Sequence, residues 1–121
     1  DEEGVPFRGA ETSPLDLPVI SGLDSWDREE IRSSLSLIEH FYQIPPLAQE
    51  GISEIHWEKG RVVVVTQRRG VLIYLGEGRD LPGKLSPLAR IWRYIKRRRL
   101  PVTYLLWVDE GRVVAGFKNR G

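Results

Sequence analysis

The sequence predicts an α+β domain in which a mainly antiparallel sheet carries two helices packed on one face. Two long segments place apolar residues every three or four positions, which is typical of amphipathic helices. Five shorter segments are rich in valine, isoleucine and aromatic residues and are separated by glycine-containing turns, which favours strands. Because the order is helix, three strands, helix, two strands, the simplest arrangement is one sheet with both helices on the same face.

The first predicted helix begins near Asp24 or Ser25, either of which can cap its N-terminus. Acidic residues fill its early turns, where the helix dipole favours negative charge. An apolar stripe follows at steps of four, three and four, and its members are Ile31, Leu35, Ile38 and Tyr42, widened by Leu37 and Phe41. Pro45-Pro46 is expected to end the helix, because proline lacks a backbone donor and restricts the residue before it.

Three strands are predicted next, with the bounds 52–58, 61–67 and 71–75. Lys59-Gly60 and Arg68-Arg69-Gly70 are short turns, so the three strands form an antiparallel meander. The middle strand carries Val62–Val65 in a row, which favours a strand covered on both faces. Gly76-Glu77-Gly78 is then expected to break the sheet.

The second predicted helix spans roughly Leu81 to Arg98. The sequence allows two alternatives for the start of this helix. In the first, Pro82 lies in the first turn, where proline is tolerated. In the second, Ser86 caps a helix that begins at Pro87, and residues 81–85 are an irregular lead-in.

Composition narrows the class of protein. The 121 residues suffice for one domain with one core, and 40% hydrophobic with 29% charged residues is ordinary for a globular protein. The absence of cysteine excludes disulfides, thiol nucleophiles and cysteine-based zinc sites. No apolar run approaches the ~20 residues of a transmembrane helix. Because there is no methionine and the first residue is Asp1, we expect the chain to be a piece of a longer protein.

Charge is segregated along the chain, although the net charge is only +1. Residues 1–30 hold nine acids and two bases, a net charge of −7, whereas residues 31–121 hold eight acids and sixteen bases, a net charge of +8. Such a polarised surface helps to orient a partner. Residues 1–20 are expected to form an extended N-terminal arm, because three prolines in it resist helix formation.

The sequence offers no arrangement that favours catalysis or metal binding. Its two histidines, His40 and His56, lie on different predicted elements, and neither belongs to a histidine or cysteine cluster. Glu39 and Glu54 are close to them in sequence, but no nucleophile is placed beside either pair. We therefore expect no enzyme activity, no metal, no cofactor and no small-molecule substrate.

A basic stretch, Arg90–Arg99, lies on and after the second predicted helix, with Trp92 and Tyr94 among its bases. Basic residues interleaved with aromatics can hold nucleic acid or meet anionic lipid headgroups. A solvated helix face is the plainer interpretation, because bases in the last turn complement the helix dipole. A nucleic-acid- or anionic-lipid-binding module is therefore the alternative function, although we do not expect nucleic acid to be the main partner.

The chain closes with a predicted hairpin, in which strands 102–108 and 112–117 flank the turn 109–111. A C-terminal strand often lies at a sheet edge, where unpaired backbone groups can accept a partner's strand. Few charges oppose such pairing here, and the apolar residues of this strand are Val113, Val114, Ala115 and Phe117. The last strand is therefore the predicted docking edge, unless it is internal or covered.

Three stretches follow one another in an order that is found in one protein family. D-E-E-G-V-P-F at Asp1–Phe7 forms an acidic-glycine-apolar turn, and L-P-V-I-S-G at Leu17–Gly22 precedes the first helix. Within Gly70–Phe117, a strand ending in Leu75-Gly76 and a helix lead to a hairpin around Asp109-Glu110-Gly111 that closes with an aromatic. Together they resemble the extracytoplasmic β-domain of the FtsQ/DivIB family of bacterial cell-division proteins, over essentially the whole chain.

The resemblance implies a non-enzymatic divisome scaffold that binds FtsB- and FtsL-like proteins during septum formation. It implies that residues 1–121 form a single β-domain, preceded in the full-length protein by a cytoplasmic tail, one transmembrane helix and a POTRA domain. The full-length protein would then be anchored in the inner (cytoplasmic) membrane at the division septum, with this domain on the extracytoplasmic, periplasmic side.

The family's partner surface is the last strand together with the end of the helix before it. Carried over by position, the implied partner-binding residues are Val108, Arg112, Val113, Val114, Ala115, Gly116 and Phe117. The residues expected to add electrostatic contact with an acidic partner are Arg93, Arg97, Arg98 and Arg99. Phe117 matches an aromatic of the family, whereas Val108 stands where other members have tyrosine or arginine-tyrosine, and one extra residue separates Gly111 from Phe117.

Overall fold

The computed structural model describes residues 18–22 and 28–118. Its strands are β1 (Val19–Ser21), β2 (Ile52–Glu58), β3 (Arg61–Thr66), β4 (Leu72–Glu77), β5 (Val102–Asp109) and β6 (Arg112–Phe117). Its helices are α1 (Arg28–Phe41), α2 (Pro45–Glu50) and α3 (Leu85–Arg98), and a 3₁₀ turn, Pro82–Lys84, leads directly into α3. The predicted α+β class is confirmed. The predicted caps Asp24 and Ser25, and most of the predicted arm, lie outside the described residues.

The described strands form a single sheet in which spatial order equals chain order, from β1 to β6. The predicted meander of β2, β3 and β4 is antiparallel, as is the β5–β6 hairpin. Two pairs are parallel, namely β1 with β2 and β4 with β5. Within the described part of the chain, β1 and β6 are therefore the two edges of the sheet.

The core lies between the helices and one face of the sheet, which we call the helix-covered face. Residues in register across the sheet form one of its rows: Ile20, Ile55, Val64, Ile73, Leu105 and Ala115. The interior members of this row are almost completely buried. The helices contribute large apolar side chains to the same cluster, among them Phe41, Leu47 and Trp92. Burial of these side chains is the main force that holds the two layers together.

The first helix differs from its prediction in two respects. Its buried positions are Ile31, Ser34, Leu37 and Phe41. Ile31, Leu37 and Phe41 are buried as predicted, whereas Leu35 and Ile38 are only partly buried, and Tyr42 lies beyond the end of the helix and is exposed. Pro45-Pro46 lies after the end of α1, as predicted, but these prolines also begin α2. Proline fits a first helical turn because the amide hydrogen that it lacks would have no partner there.

The strand predictions also need two corrections. Gly76 does not break the sheet, because β4 continues through Glu77. Instead it belongs to a bulge, where Val62 faces Gly76 and Val63 faces Tyr74, and its φ of 75° suits glycine. The run of valines in β3 is covered fully on one face only, because Val63 and Val65 are half-buried on the other face. The open question about the second helix is settled by the 3₁₀ turn, after which α3 begins at Leu85.

Candidate partner-binding edge

Strand β6 lies at the edge of the sheet and pairs with β5 alone among the described strands. The amide of Lys118, just past the strand, donates to the Pro101 carbonyl at 2.8 Å, towards β5. Backbone groups alternate in direction along a strand, so the N–H groups of residues 113, 115 and 117 point away from β5. These outward groups have no strand beside them in the described structure, which is the backbone condition for accepting a further strand.

The side chains of β6 alternate between the two faces of the sheet. Val113 and Ala115 are partly buried and pack against the core cluster. Val114 and Phe117 are 46% and 47% exposed. Arg112 is exposed beside the turn, where its Nε lies 3.4 Å from the Asp109 carboxylate. The predicted residues are therefore contiguous along one edge: Val113 and Ala115 face the core, Val114 lies on the opposite face, and Phe117 is exposed at the end of the strand.

Gly116 has a specific role at this edge. A Cβ added at this position would overlap the ring of Tyr104, so the ring lies directly over the glycine backbone. Tyr104 in turn meets Tyr74 edge to face, with ring centroids 6.3 Å apart. The ring of Tyr104 thus covers the backbone of β6 at Gly116, the one position of this strand that has no side chain. Val108, at the start of the turn, is also exposed.

The sheet face opposite the helices, which we call the open face, is apolar near this edge. Its in-register residues are Val63, Tyr74, Leu106 and Val114 in one row and Val65, Leu72 and Tyr104 in the next. Tyr74, Tyr104, Leu106 and Val114 are exposed. Sequence reasoning missed this face, because β5 is apolar in both of its alternating phases and so gives no sign of which phase is buried.

The basic end of α3 adjoins the C-terminal end of β6. Arg93, Arg97, Arg98 and Arg99 are exposed, and none of them forms an ion pair with an acid in the described residues. The Arg98 guanidinium lies 4.8 Å from the centre of the Tyr94 ring. Arg99 is the C-cap of α3, two residues before the Pro101 carbonyl that binds the end of β6. Arg99 therefore lies near the C-terminal end of β6, and the other predicted cationic residues precede it on the same helix.

A buried lysine lies beneath the other end of the hairpin. Lys84 is only 7% exposed, and its Nζ donates to the carbonyls of Leu75 and Glu77, each at 2.7 Å. The same ammonium lies 4.5 Å from the centre of the Trp107 ring. Burial lowers the pKa of Lys84, because removal from water disfavours the charged form. Sequence reasoning missed this residue, because a lysine in a turn normally lies in water.

The two histidines form no catalytic or metal centre in the described structure. His40 is exposed, and its Nδ1 is 2.8 Å from the Ser36 carbonyl. His56 lies on β2, with its Nδ1 2.9 Å from the Ser21 hydroxyl, which donates to the Glu54 carboxylate. These contacts fasten β1 to β2. No group of three or more histidine, cysteine or acidic residues suited to a metal occurs in the part of the chain that the structure describes.

Residues 1–105 match the family model described as "Cell division protein FtsQ/DivIB, C-terminal". This match covers more than half of the chain and defines its class: the chain belongs to the FtsQ/DivIB family and is a cell-division domain. The predicted family is confirmed.

Individual relatives agree with the family assignment. The chain is 32% identical over 115 residues to the cell division protein FtsQ of Geotalea daltonii, which covers 87% of this chain. It is 30% identical over 115 residues to the cell division protein FtsQ of a Geobacter species, again over 87% of the chain. The match spans 42% of the length of each of these relatives. Among the described helices, none is long and apolar enough to cross a membrane.

Proposed function

We propose that this domain is a non-enzymatic scaffold of the division machinery that binds FtsB- and FtsL-like partners through β6. The observation that carries the proposal is the free outer side of β6, with its exposed Val114 and Phe117 and its lack of a neighbouring strand in the described residues. Main-chain hydrogen bonds supply affinity in strand addition, while alternate side chains supply specificity. The partner-binding residues are those predicted: Val108, Arg112, Val113, Val114, Ala115, Gly116 and Phe117.

The open face supports this choice of edge over the other. Beside β6 the sheet presents Tyr104, Leu106 and Val114, so a partner strand could extend onto an apolar surface. Beside β1 the open face carries one exposed apolar residue, Val19, and the rest is polar, with Ser21, Glu54 and His56 hydrogen-bonded or in contact with one another. Strand β1 also forms only three residue pairs with β2, whereas β5 and β6 form six. A partner therefore gains more buried apolar area at β6.

The basic end of α3 gives the proposed edge a preference for acidic partners. Four positive charges lie on the C-terminal half of α3 and its cap, which ends near β6: Arg93, Arg97, Arg98 and Arg99. Exposed charges of this kind raise the association rate and are screened by salt. In the full-length protein, as in the family, the domain would be membrane-anchored and extracytoplasmic, located at the division septum.

An NMR titration of the isotope-labelled chain tests the proposal. The titrant is the extracytoplasmic segment of the same organism's FtsB-like protein. We expect chemical-shift changes concentrated at residues 108–117 and, more weakly, at the basic end of α3. An absence of shifts at high partner concentration would overturn the proposal. Shifts at Arg90–Arg99 with anionic vesicles or an oligonucleotide, and none with the segment, would support the alternative module instead.

A substitution at Ala115 tests strand addition itself. Ala115→Pro removes an outward N–H while leaving the inward ladder to β5 in place, and proline is tolerated on the solvent side of an edge strand. We expect at least a tenfold loss of partner affinity, since about 1 kcal/mol per lost hydrogen bond adds to steric exclusion of the partner backbone. Ala115→Ser keeps the N–H and is the matched control. Equal affinities of two folded variants would contradict strand addition.

A further inference from the structure

We propose that Lys84 is a positioning residue that holds the distal half of the β5–β6 hairpin through Trp107. The distal half comprises residues 107–113. The inference rests on the proposed function in one respect, namely that this hairpin is the docking edge, while the positioning itself is argued from contacts within the domain.

The distal half of the hairpin has no backbone support from the other described strands. The pairs between β4 and β5 are Leu72 with Tyr104, Ile73 with Leu105 and Tyr74 with Leu106, and they end there. Beyond Tyr74, the β4 backbone turns away at the bulge and continues with β3 alone. From Trp107 onward, β5 therefore pairs with β6 only, and a two-stranded ribbon is marginally stable by itself.

A cleft separates this ribbon from the body of the domain. It has a volume of about 660 Å³, and the end of β4, the start of α3 and the hairpin form its walls. Gly76 lies in the wall formed by β4, Arg90 in the wall formed by α3, and Val108 in the wall formed by the hairpin. Lys84 and Trp107 also line it, and their contact bridges the walls.

Lys84 connects three elements at once. It ends the 3₁₀ turn before α3, its Nζ binds two carbonyls on either side of the β4 bulge, and it faces the Trp107 ring. An ammonium has three donors, and the two carbonyls take two of them. The ammonium also lies 4.5 Å from the centre of the Trp107 ring, and the burial of Lys84 strengthens this cation–π contact. Lys84 has no acid within ion-pair distance in the described residues.

The contacts of Lys84 are better suited to positioning Trp107 than to increasing the stability of the fold. Burying the Lys84 ammonium costs free energy of folding, and the nearby Glu77 and Asp80 carboxylates offset that cost only in part. Methionine has nearly the shape of lysine and would fill the same space. A lysine at this site is thus better explained by where it holds Trp107 than by what it adds to the folded state.

Amide hydrogen exchange of the whole chain tests the proposal without any partner. In Lys84→Met we expect amides of residues 107–113 to exchange roughly 3- to 30-fold faster, the range that corresponds to loss of one cation–π contact. Amides of Ile55, Val64 and Ile73 should keep their rates, and the urea midpoint should change little, because relief of the buried charge offsets the loss of two hydrogen bonds to carbonyls. Lys96→Met is the matched control, since Lys96 lies on the adjoining helix and its Nζ binds Gln49 Oε1, at 2.9 Å, far from the hairpin turn.

A double variant identifies Trp107 as the residue through which Lys84 acts. Trp107→Leu should accelerate the same amides, and adding Lys84→Met to it should have no further effect, because coupled residues are non-additive. Equal exchange in Lys84→Met and Lys96→Met, additive effects, or acceleration spread evenly over the sheet would each overturn the proposal.

Partner affinity separates this inference from the proposed function. Lys84→Met should weaken binding of the FtsB-like segment by at most the factor by which it accelerates exchange, because only the fraction of hairpins in the ordered position can dock. If the unmodified chain fails to bind the segment, the proposed function fails and the exchange result still decides the role of Lys84. If the segment binds and the affinity is unchanged in Lys84→Met, the hairpin's position does not matter for docking, and that part of the inference is wrong.

Discussion

The two faces of the sheet differ sharply, although neighbouring residues of the same strands build both. In β5, Leu105 is completely buried beneath the helices, whereas Leu106 is 39% exposed on the open face. Both are leucines, and both lie in register with apolar residues of β4 and β6. The helix-covered face uses its apolar side chains to form the core, while the open face keeps apolar side chains in contact with water. An exposed apolar surface of this kind is typical of an interaction site.

The largest expected effect compares the two leucines directly. Leu105→Ala should lower the free energy of unfolding by about 2–5 kcal/mol, because it leaves a cavity in the core. Leu106→Ala should lower it by about 1 kcal/mol or less, because that side chain is already partly in water. Urea unfolding monitored by tryptophan fluorescence measures both. Similar losses for the two variants would mean that the open face is covered in solution.

A smaller effect is expected at the polar contact within the helix-covered face. Ser34 on α1 accepts a hydrogen bond from Trp57 Nε1 at 2.8 Å and donates to the Glu30 carbonyl. Ser34→Ala leaves the buried indole N–H without this acceptor, so we expect a loss of about 1–3 kcal/mol in unfolding free energy. Ser33→Ala, one residue earlier on the same helix, is the control and should have little effect. Equal losses of unfolding free energy in the two variants would show that the hydrogen bond between Ser34 and Trp57 does not stabilise the fold.

The smallest expected effect is a dependence of the unfolding free energy on pH, which arises from the buried charge of Lys84. Burial lowers the pKa of Lys84 below its ordinary value of 10.5, so the unfolded chain holds this proton more tightly than the folded chain does. The contribution of Lys84 to the unfolding free energy should therefore rise as the pH increases from its folded-state pKa towards 10.5. The measurement is the difference between the unmodified chain and Lys84→Met across that pH range. A difference that falls with increasing pH would contradict a lowered pKa.

Much of the fold followed from local patterns. The bounds of β2 and β6 were predicted correctly, because glycine turns and alternating apolar residues mark both. Strand β1 was not predicted, since three residues beside a proline carry no period and gain their pairing from β2, more than thirty positions away. Helix α2 was missed because Pro45-Pro46 fits both the end of one helix and the start of another.

The candidate site was only partly predictable. That the last strand lies at an edge agrees with the strand order, but the order itself depends on a parallel pairing of β4 with β5 that no local pattern encodes. Lys84 and Trp107 are neighbours only because α3 returns the chain to that pairing. The role of residues 108–117 in binding remains a prediction until a partner is added.

The order of the strands also determines the distance between the two edges of the sheet. The chain enters the sheet at β1, and a partner on β6 would be added at the opposite edge. Neighbouring strands are spaced by about 4.8 Å, so five spacings separate these edges by roughly 24 Å. Backbone hydrogen bonds set this width, and side-chain substitutions leave it unchanged. If a partner adds to β6 as proposed, the width of the sheet therefore sets the distance between that partner and the point where the chain enters at β1.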